Sequence, residues 1–552
     1  MRLVNILDIG RSNFGANPCI ATTGTSNEIS ILTYASGWLA LQEHLQWLRK
    51  ALAGRCEDVV VAYLSSNSGD MLLSMLAATE LGVHVALLNT RWTASEIAGL
   101  LQTQVSTCNT VILYGNGFYG KAKQAADALL HSTDIRHIPA LAESYMTLGH
   151  PMEFQLNKMS LIHVEEEKSE VMFAKDGDDD AFVVFTSGTT SGSKGVRLSH
   201  RALWLQALAK LGPPCQYSSH TRMLATTVPL FHVGGLSSAI AVWLAGGMLE
   251  FPRRIGFDPK ITVMSMSRVS MPTNTLVVVP AMLHALFQNI GENKCFNAVD
   301  LILIGGQSAT PPMVRQLTIT FPNARLVQTY ACTEAASSLT FLLLDTLTEN
   351  RMEIKDGTVG DCIGQPPPHI VICLVSESGT SVINEHEKVG TFATKGHHVM
   401  NGYWKRGDYN KYPSKGRNEW FITSDLGFKD ATTGRFFFCG RATDVIRTGG
   451  ETVNASEVER VLLIYDGVKE CAVFALPDDR FGEAVCAALV APDQSASLSQ
   501  IRHFCGEQGL SDYKRPRRLF FLDELPRNSS GKVVKHMLVE RFGLTQSISS
   551  KL

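Results

Sequence analysis

Phe182-Val183-Val184-Phe185 runs directly into Thr186-Ser187-Gly188-Thr189-Thr190-Ser191-Gly192-Ser193-Lys194-Gly195, and this junction decides how the chain is read. The uninterrupted apolar run makes a strand buried on both faces, as in a parallel sheet. The Gly, Ser and Thr residues that follow let backbone N–H groups approach an anion closely, their hydroxyls donate, and Lys194 adds positive charge. Such a loop is suited to hold polyphosphate; a flexible surface loop is the plainer alternative. Walker A chemistry is disfavoured, because that motif needs Gly-Lys-Ser/Thr and the order here is Lys194-Gly195. A nucleophile elbow is absent too, since Gly306-Gln307-Ser308-Ala309-Thr310 lacks the closing glycine.

Working outward, apolar runs recur at Val59–Leu64, Leu276–Val279 and Leu301–Ile304, with amphipathic segments such as Ala94–Leu101 and Pro312–Leu317 between them. This alternation predicts an α/β architecture built on parallel strands. The 552 residues exceed a typical domain of roughly 100–200 residues. A compositional break at Gly440-Arg441-Ala442-Thr443-Asp444 divides the chain into a large unit, 1–440, and a shorter α+β unit, 441–552. The acidic stretch Glu165–Asp180 reads as a solvated loop.

Composition excludes several classes. Apolar residues at 45% and charged residues at 18% rule out a disordered, collagen-like or coiled-coil chain. A net charge of −2 gives no electrostatic footprint for nucleic acid. The 12 cysteines form no CxxC pair, so they read as small buried hydrophobes in a reducing compartment rather than metal or redox centres. The charge-free stretch Met223–Leu249 is broken by Pro229, His232, Gly234, Gly235, Gly246 and Gly247, which predicts short core elements and no membrane span. Asp8 interrupts any secretory signal at the start, and the N-terminus fits a plastid transit peptide poorly.

The glycine-rich loop and four later stretches, in order, resemble the signatures of the AMP-forming acyl-CoA synthetases of the adenylate-forming (ANL) superfamily. The later ones are Gln328-Thr329-Tyr330-Ala331-Cys332-Thr333-Glu334, Phe421-Ile422-Thr423-Ser424-Asp425, Gly440-Arg441-Ala442-Thr443-Asp444-Val445-Ile446-Arg447-Thr448-Gly449-Gly450-Glu451, and Pro526-Arg527-Asn528-Ser529-Ser530-Gly531-Lys532. The resemblance implies a large N-terminal α/β domain of the adenylate-forming type and a small mobile C-terminal domain. It implies ATP and CoA as co-substrates and Mg²⁺ as cofactor.

The resemblance also assigns residues. Thr186, Ser187, Gly188, Thr189, Thr190 and Lys194 hold phosphates. Thr333 bonds the α-phosphate, Tyr330 stacks on adenine, and Gly306 and Gln307 line the nucleotide side. Asp425 accepts from the ribose hydroxyls with Arg441 nearby, and Glu334 holds the metal. Lys532 carries mobile positive charge to the α-phosphorus, where a carboxylate and a phosphate must meet. Thr443 maps to the hinge. Arg447, Gly449 and Gly450 border the CoA tunnel, although the glycine pair also reads simply as a turn before a helix at Ala455–Leu462. Departures from the family pattern are Ser191 and Ser193 in the phosphate loop, Ala331, Ser424, and Arg447 in place of Lys.

For the acid, Pro229–Ser238, Val279–Met282, Thr333–Phe341 and Gly364–Ile370 look most like the 2-succinylbenzoate–CoA ligase branch of the family. That acid needs an apolar slot and donors for a second carboxylate, which is costly to bury unpaired. His232, Ser237, Ser238, Gln307 and the Gly305-Gly306 backbone are the expected donors, with Gly235 in the pocket wall; His232 reads equally as a plain pocket wall. The runner-up is a peroxisomal 4-coumarate–CoA-ligase-like enzyme acting on fatty or aromatic acids. The terminal Ser550-Lys551-Leu552 reads as an address for a peroxisomal import receptor, with the chloroplast as a further destination.

Overall fold

The computed structural model describes residues 2–23, 29–52, 59–105, 109–115, 117–130, 145–147, 177–186, 193–252, 256–291, 294–344, 352–355, 358–376, 381–383, 388–404, 419–491, 496–527 and 533–549. Lys532, Ser187, Gly188, Thr189, Thr190 and the terminal Ser550-Lys551-Leu552 lie outside them.

Two large sheets dominate. The first has the order Ser337–Leu343, Arg325–Cys332, Leu301–Ile304, Thr275–Val278, Arg222–Leu224, Met248–Pro252, Pro18–Thr23, Ile29–Thr33, with antiparallel pairing only at its two edges. The second runs Gly402–Tyr403, Lys194–Ser199, Asp180–Thr186, His84–Leu87, Val59–Leu64, Asn109–Tyr114, Tyr145–Thr147 and is parallel from Asp180–Thr186 onward. The apolar runs seen in the sequence are thus strands, buried throughout in Val59–Leu64, Thr275–Val278 and Leu301–Ile304. One continuous core joins the two sheets through helices Tyr34–Ala51, Gly69–Glu80, His200–Leu211 and Val233–Leu244, to which Leu41, Met71, Leu203 and Trp243 contribute. Burial of this apolar surface is the main stabilising term.

Two departures from the expected alternation have physical causes. A six-stranded antiparallel sheet, from Met352–Lys355 to Val371–Val375 with Phe421–Lys429 and Phe436–Arg441 inside it, follows the parallel sheets. Its strands are too variably buried to stand out from the preceding pattern. The end of the acidic stretch is held, rather than merely solvated: Asp180 accepts from Arg197 at 2.6 Å and from Asn401 at 2.8 Å, and Asp178 faces Arg201 at 3.3 Å. Met223–Leu249 resolves into the end of one strand, the twelve-residue helix Val233–Leu244 and the start of another strand. Among the described residues no helix is long and apolar enough to cross a membrane.

After Phe436–Arg441, one 3₁₀ turn, Ala442–Asp444, leads into a small α+β domain. Its sheet is built from Val445–Thr448, Glu451–Asn454, Glu470–Asp478, Gly482–Val490 and Arg518–Phe521. Helix Ala455–Leu462 is capped by Asn454 and touches the large domain through Ser456 Oγ donating to Cys439 O at 2.9 Å and Arg460 donating to Phe438 O at 3.2 Å.

Candidate active site

The parallel strands of the first sheet end on one side, where ligands of open α/β sheets bind. Leu301–Ile304 ends at Gly305-Gly306-Gln307, and Gly306 has φ +82°, so the backbone can turn there without strain on a side chain. A Cβ on Gly305 would lie 3.4 Å from Thr329 Cγ2 of the neighbouring strand, which fixes this loop beside the next one. Gln307 is exposed. The loop is pinned behind by Ser308 donating to Asp361, and by Ala309 N–H donating to Gln328 Oε1 at 3.0 Å.

Strand Arg325–Cys332 carries Tyr330 and ends in the 3₁₀ turn Thr333–Ala335. Tyr330 donates to Asp425 Oδ2 at 2.7 Å, and Arg441 Nε lies 3.3 Å from Asp425 Oδ1. Asp425 and Arg441 are direct partners in the antiparallel ladder of Phe421–Lys429 and Phe436–Arg441, so the fold sets their pairing. Burial, and then the Asp425 carboxylate, push the Tyr330 phenol well above its ordinary range. Its ring packs against Phe392 and Phe438, with centroids at 5.4 and 6.1 Å. Each Asp425 oxygen retains a further lone pair for a ligand hydroxyl.

The two strands that flank the glycine-rich segment belong to the second sheet. Thr186 and Lys194 are direct partners across the strands that flank 187–192. The Lys194 ammonium sits 5.3 Å from the Tyr403 ring centroid, and Tyr403 donates to Glu334 Oε1 at 2.9 Å. Burial and the Glu334 carboxylate raise the Tyr403 phenol, which stays protonated and donating. Met400 N–H donates to Glu334 O at 2.8 Å. Lys194, Tyr403, Glu334 and Thr333 therefore form one polar wall. Among the described residues the second oxygen of Glu334 has no partner, and a half-buried carboxylate is the hard donor that Mg²⁺ accepts.

Residues expected around the acid separate into two groups. His232 is half-buried at the N-terminal end of helix Val233–Leu244, with its ring 4.6 Å from that of Phe231, and Gly305 is half-buried. Gly235, Ser237 and Ser238 are buried in the helix interior. A Cβ on Gly235 would lie 2.5 Å from Pro229 O, and Ser237 Oγ accepts from Lys210 at 3.0 Å and donates to Ser337 at 2.9 Å.

In the small domain, Gly449 and Gly450, at φ +61° and +84°, form the two-residue hairpin turn between Val445–Thr448 and Glu451–Asn454. Both are exposed, as is Arg447, whose N–H donates to Glu483 at 2.6 Å. Thr443 is exposed in the connecting turn. Asp444 beside it meets Lys535 at 3.2 Å, and Lys535 also meets Glu459 at 2.8 Å.

The family described as AMP-binding enzyme matches residues 17–404, and its C-terminal domain matches 457–532. The chain belongs to the AMP-binding enzyme family. It is 30% identical over 532 residues to the 2-succinylbenzoate–CoA ligase, chloroplastic/peroxisomal, of Arabidopsis thaliana, covering 88% of this chain and 89% of the relative. It is 28% identical over 507 residues to the long-chain-fatty-acid–CoA ligase FadD13 of Mycobacterium tuberculosis, covering 90% and 92%. The o-succinylbenzoate CoA synthetase of Bacillus subtilis, solved with the acyl-adenylate OSB-AMP, superposes with a TM-score of 0.75 over 97% of each chain at 23% identity, and so shares the fold. In this AMP-binding enzyme, Tyr403 is a partner of Glu334 that the sequence reading missed, and Gln328, quoted there only within a signature, holds the Ala309 amide. Gly402, at φ +130° before two aromatic residues, was the available signal for Tyr403.

Proposed function

We propose that this AMP-binding enzyme is an ATP-dependent acid–CoA ligase acting on 2-succinylbenzoate. The acid and ATP give 2-succinylbenzoyl-AMP and pyrophosphate; the adenylate and CoA then give 2-succinylbenzoyl-CoA and AMP. The observation that carries the reading is the meeting of Lys194 and Glu334 through Tyr403, on the turn that follows the strand of Tyr330, whose partners are Asp425 and, through it, Arg441. The similarity to a 2-succinylbenzoate–CoA ligase over nine-tenths of the chain supports the acid.

In this mechanism Asp425 accepts from the ribose hydroxyls and is held by Tyr330 and Arg441. Thr333 donates to the α-phosphate; Thr186, Ser187, Gly188, Thr189, Thr190 and Lys194 receive the departing pyrophosphate. Glu334 is the residue that would hold Mg²⁺, which when bound offsets the charge of the phosphate oxygens. The carboxylate oxygen attacks the α-phosphorus and the α–β bridging oxygen leaves, while Lys532 neutralises the approach of two anions. Turning about Thr443 then brings Arg447, Gly449 and Gly450 towards CoA, whose thiolate attacks the acyl carbonyl and expels AMP. In this reading His232 and the Gly305–Gln307 loop receive the second carboxylate of the acid.

Pyrophosphate release measured with 2-succinylbenzoate, 4-coumarate and medium-chain fatty acids, each with and without CoA, tests the proposal. Release specific to 2-succinylbenzoate, with CoA-dependent AMP formation, is expected. Preference for a fatty acid favours the second reading, which the likeness to a fatty-acid ligase at nearly equal identity supports. Delivery to the peroxisome through Ser550-Lys551-Leu552 belongs to the same proposal and rests on the sequence alone.

A further inference from the structure

Gln206, on helix His200–Leu211, is fully buried behind the Thr333–Glu334 turn. Its Nε2 donates to Ala335 O at 2.8 Å and to Ser338 O at 2.9 Å, and its Oε1 accepts from Ser338 N–H at 3.0 Å. One amide thus closes both ends of the four-residue segment 335–338. Within that segment Ala336 has φ +58° and Ser337 φ +151°. Neither is glycine, so the turn is strained and persists only where its surroundings hold it. The same helix face supplies a second tether one turn on, where Lys210 donates to Ser237 and Ser237 donates to Ser337. The ladder itself slips between Tyr330 and Ala331, so strand pairing alone does not set the register of Thr333 and Glu334.

We propose that Gln206 is a positioning residue for acid activation, holding the strained Ala336–Ser337 turn and thereby fixing Thr333 and Glu334 towards the nucleotide. It touches no substrate and acts only through that turn. The inference rests on the proposed ligase reading for the reaction, but not for nucleotide binding.

Two substitutions test it. Gln206→Leu keeps the volume and removes all three bonds. Gln206→Glu keeps the acceptor for Ser338 N–H and loses both donors when ionised; burial raises the carboxyl, so one O–H donor returns as pH falls through its titration. For Gln206→Leu the expected results are a tenfold or larger fall in pyrophosphate release and about tenfold weaker binding of Mg·ATP by calorimetry without acid. Thioester formation from supplied acyl-adenylate should stay within twofold of wild type. For Gln206→Glu, the rate of adenylation relative to wild type should rise as pH is lowered. Equal loss in both half-reactions together with a lowered melting temperature, or unchanged adenylation, overturns the proposal. If Gln206→Leu does not fold, the pH profile of Gln206→Glu decides. A wild type that adenylates none of the acids offered sinks the ligase reading, and the Mg·ATP comparison then still decides Gln206.

Discussion

Tyr403 acts through both its ring and its hydroxyl, and the two can be separated by substitution. Its ring carries the Lys194 ammonium and its oxygen donates to Glu334. Tyr403→Phe keeps the ring and removes only the bond to the carboxylate. A hydrogen bond to a charged group contributes about 1.5–3 kcal/mol, or roughly 10- to 100-fold in rate. Pyrophosphate release should fall within that range, with thioester formation from supplied acyl-adenylate retained. An unchanged rate at saturating and limiting Mg·ATP means that Glu334 does not depend on Tyr403. Residue-scale pairing was the least legible part of the sequence: Tyr403 and Glu334 are 69 positions apart, and Gln206 and Ser338 are 132 apart. Periodicity places each on a helix, strand or loop, but carries no information on which distant side chain each will meet.

Elements were more legible where an apolar run was short and uninterrupted, as in Leu301–Ile304, and where Asn454 caps Ala455–Leu462. Helix Val233–Leu244 shows the limit. It is apolar on nearly all sides and buried, so its sequence could not say that Ser237 turns to Lys210. Helix His200–Leu211 gives a measurable consequence. Burial lowers Lys210 from 10.5 to about 8, while an unfolded lysine keeps its proton to its ordinary value. Between those values the unfolded chain binds more protons, so stability rises with pH through the window. Relative to Lys210→Met, the wild type should gain roughly 3 kcal/mol on going from pH 8 to 10.5, read by urea denaturation. Parallel curves for the two proteins would refute the lowering of Lys210 by burial. A second element-scale test concerns Glu250, buried on Met248–Pro252, which accepts from Thr23 at 3.0 Å, Ser265 at 2.9 Å and Thr273 at 2.9 Å and pairs with Arg268. Arg268→Met strands this carboxylate without its cation and should lower stability by about 3–5 kcal/mol, with the midpoint of the large-domain transition as the measure.

At the scale of the whole molecule, the chain's length and the compositional break at Gly440–Asp444 foretold two domains, and the chain does divide into a large α/β part and a small α+β part joined through Ala442–Asp444. The antiparallel sheet between them went unforeseen, although it supplies Asp425 and Arg441. The small domain's contacts with the strand Phe436–Arg441 include the two hydrogen bonds from Ser456 and Arg460, both to backbone carbonyls, a type of contact that exchanges readily with water. Lys535 ties the start of helix Lys535–Ser549 to Asp444, next to Thr443, and to Glu459. Arg527 and Val533, on either side of 528–532, pair with each other. Under the proposed mechanism Lys532 travels with the small domain, and its charge serves one half-reaction if that domain rotates. Lys532→Ala should lower acyl-adenylate formation by several orders of magnitude, because two anions then approach with one less compensating charge. Thioester formation from supplied acyl-adenylate should persist, because in the proposed mechanism that step uses a different face of the small domain. Equal loss of both half-reactions would mean that the domain works in one fixed arrangement, with Lys532 serving the fold rather than the first chemical step.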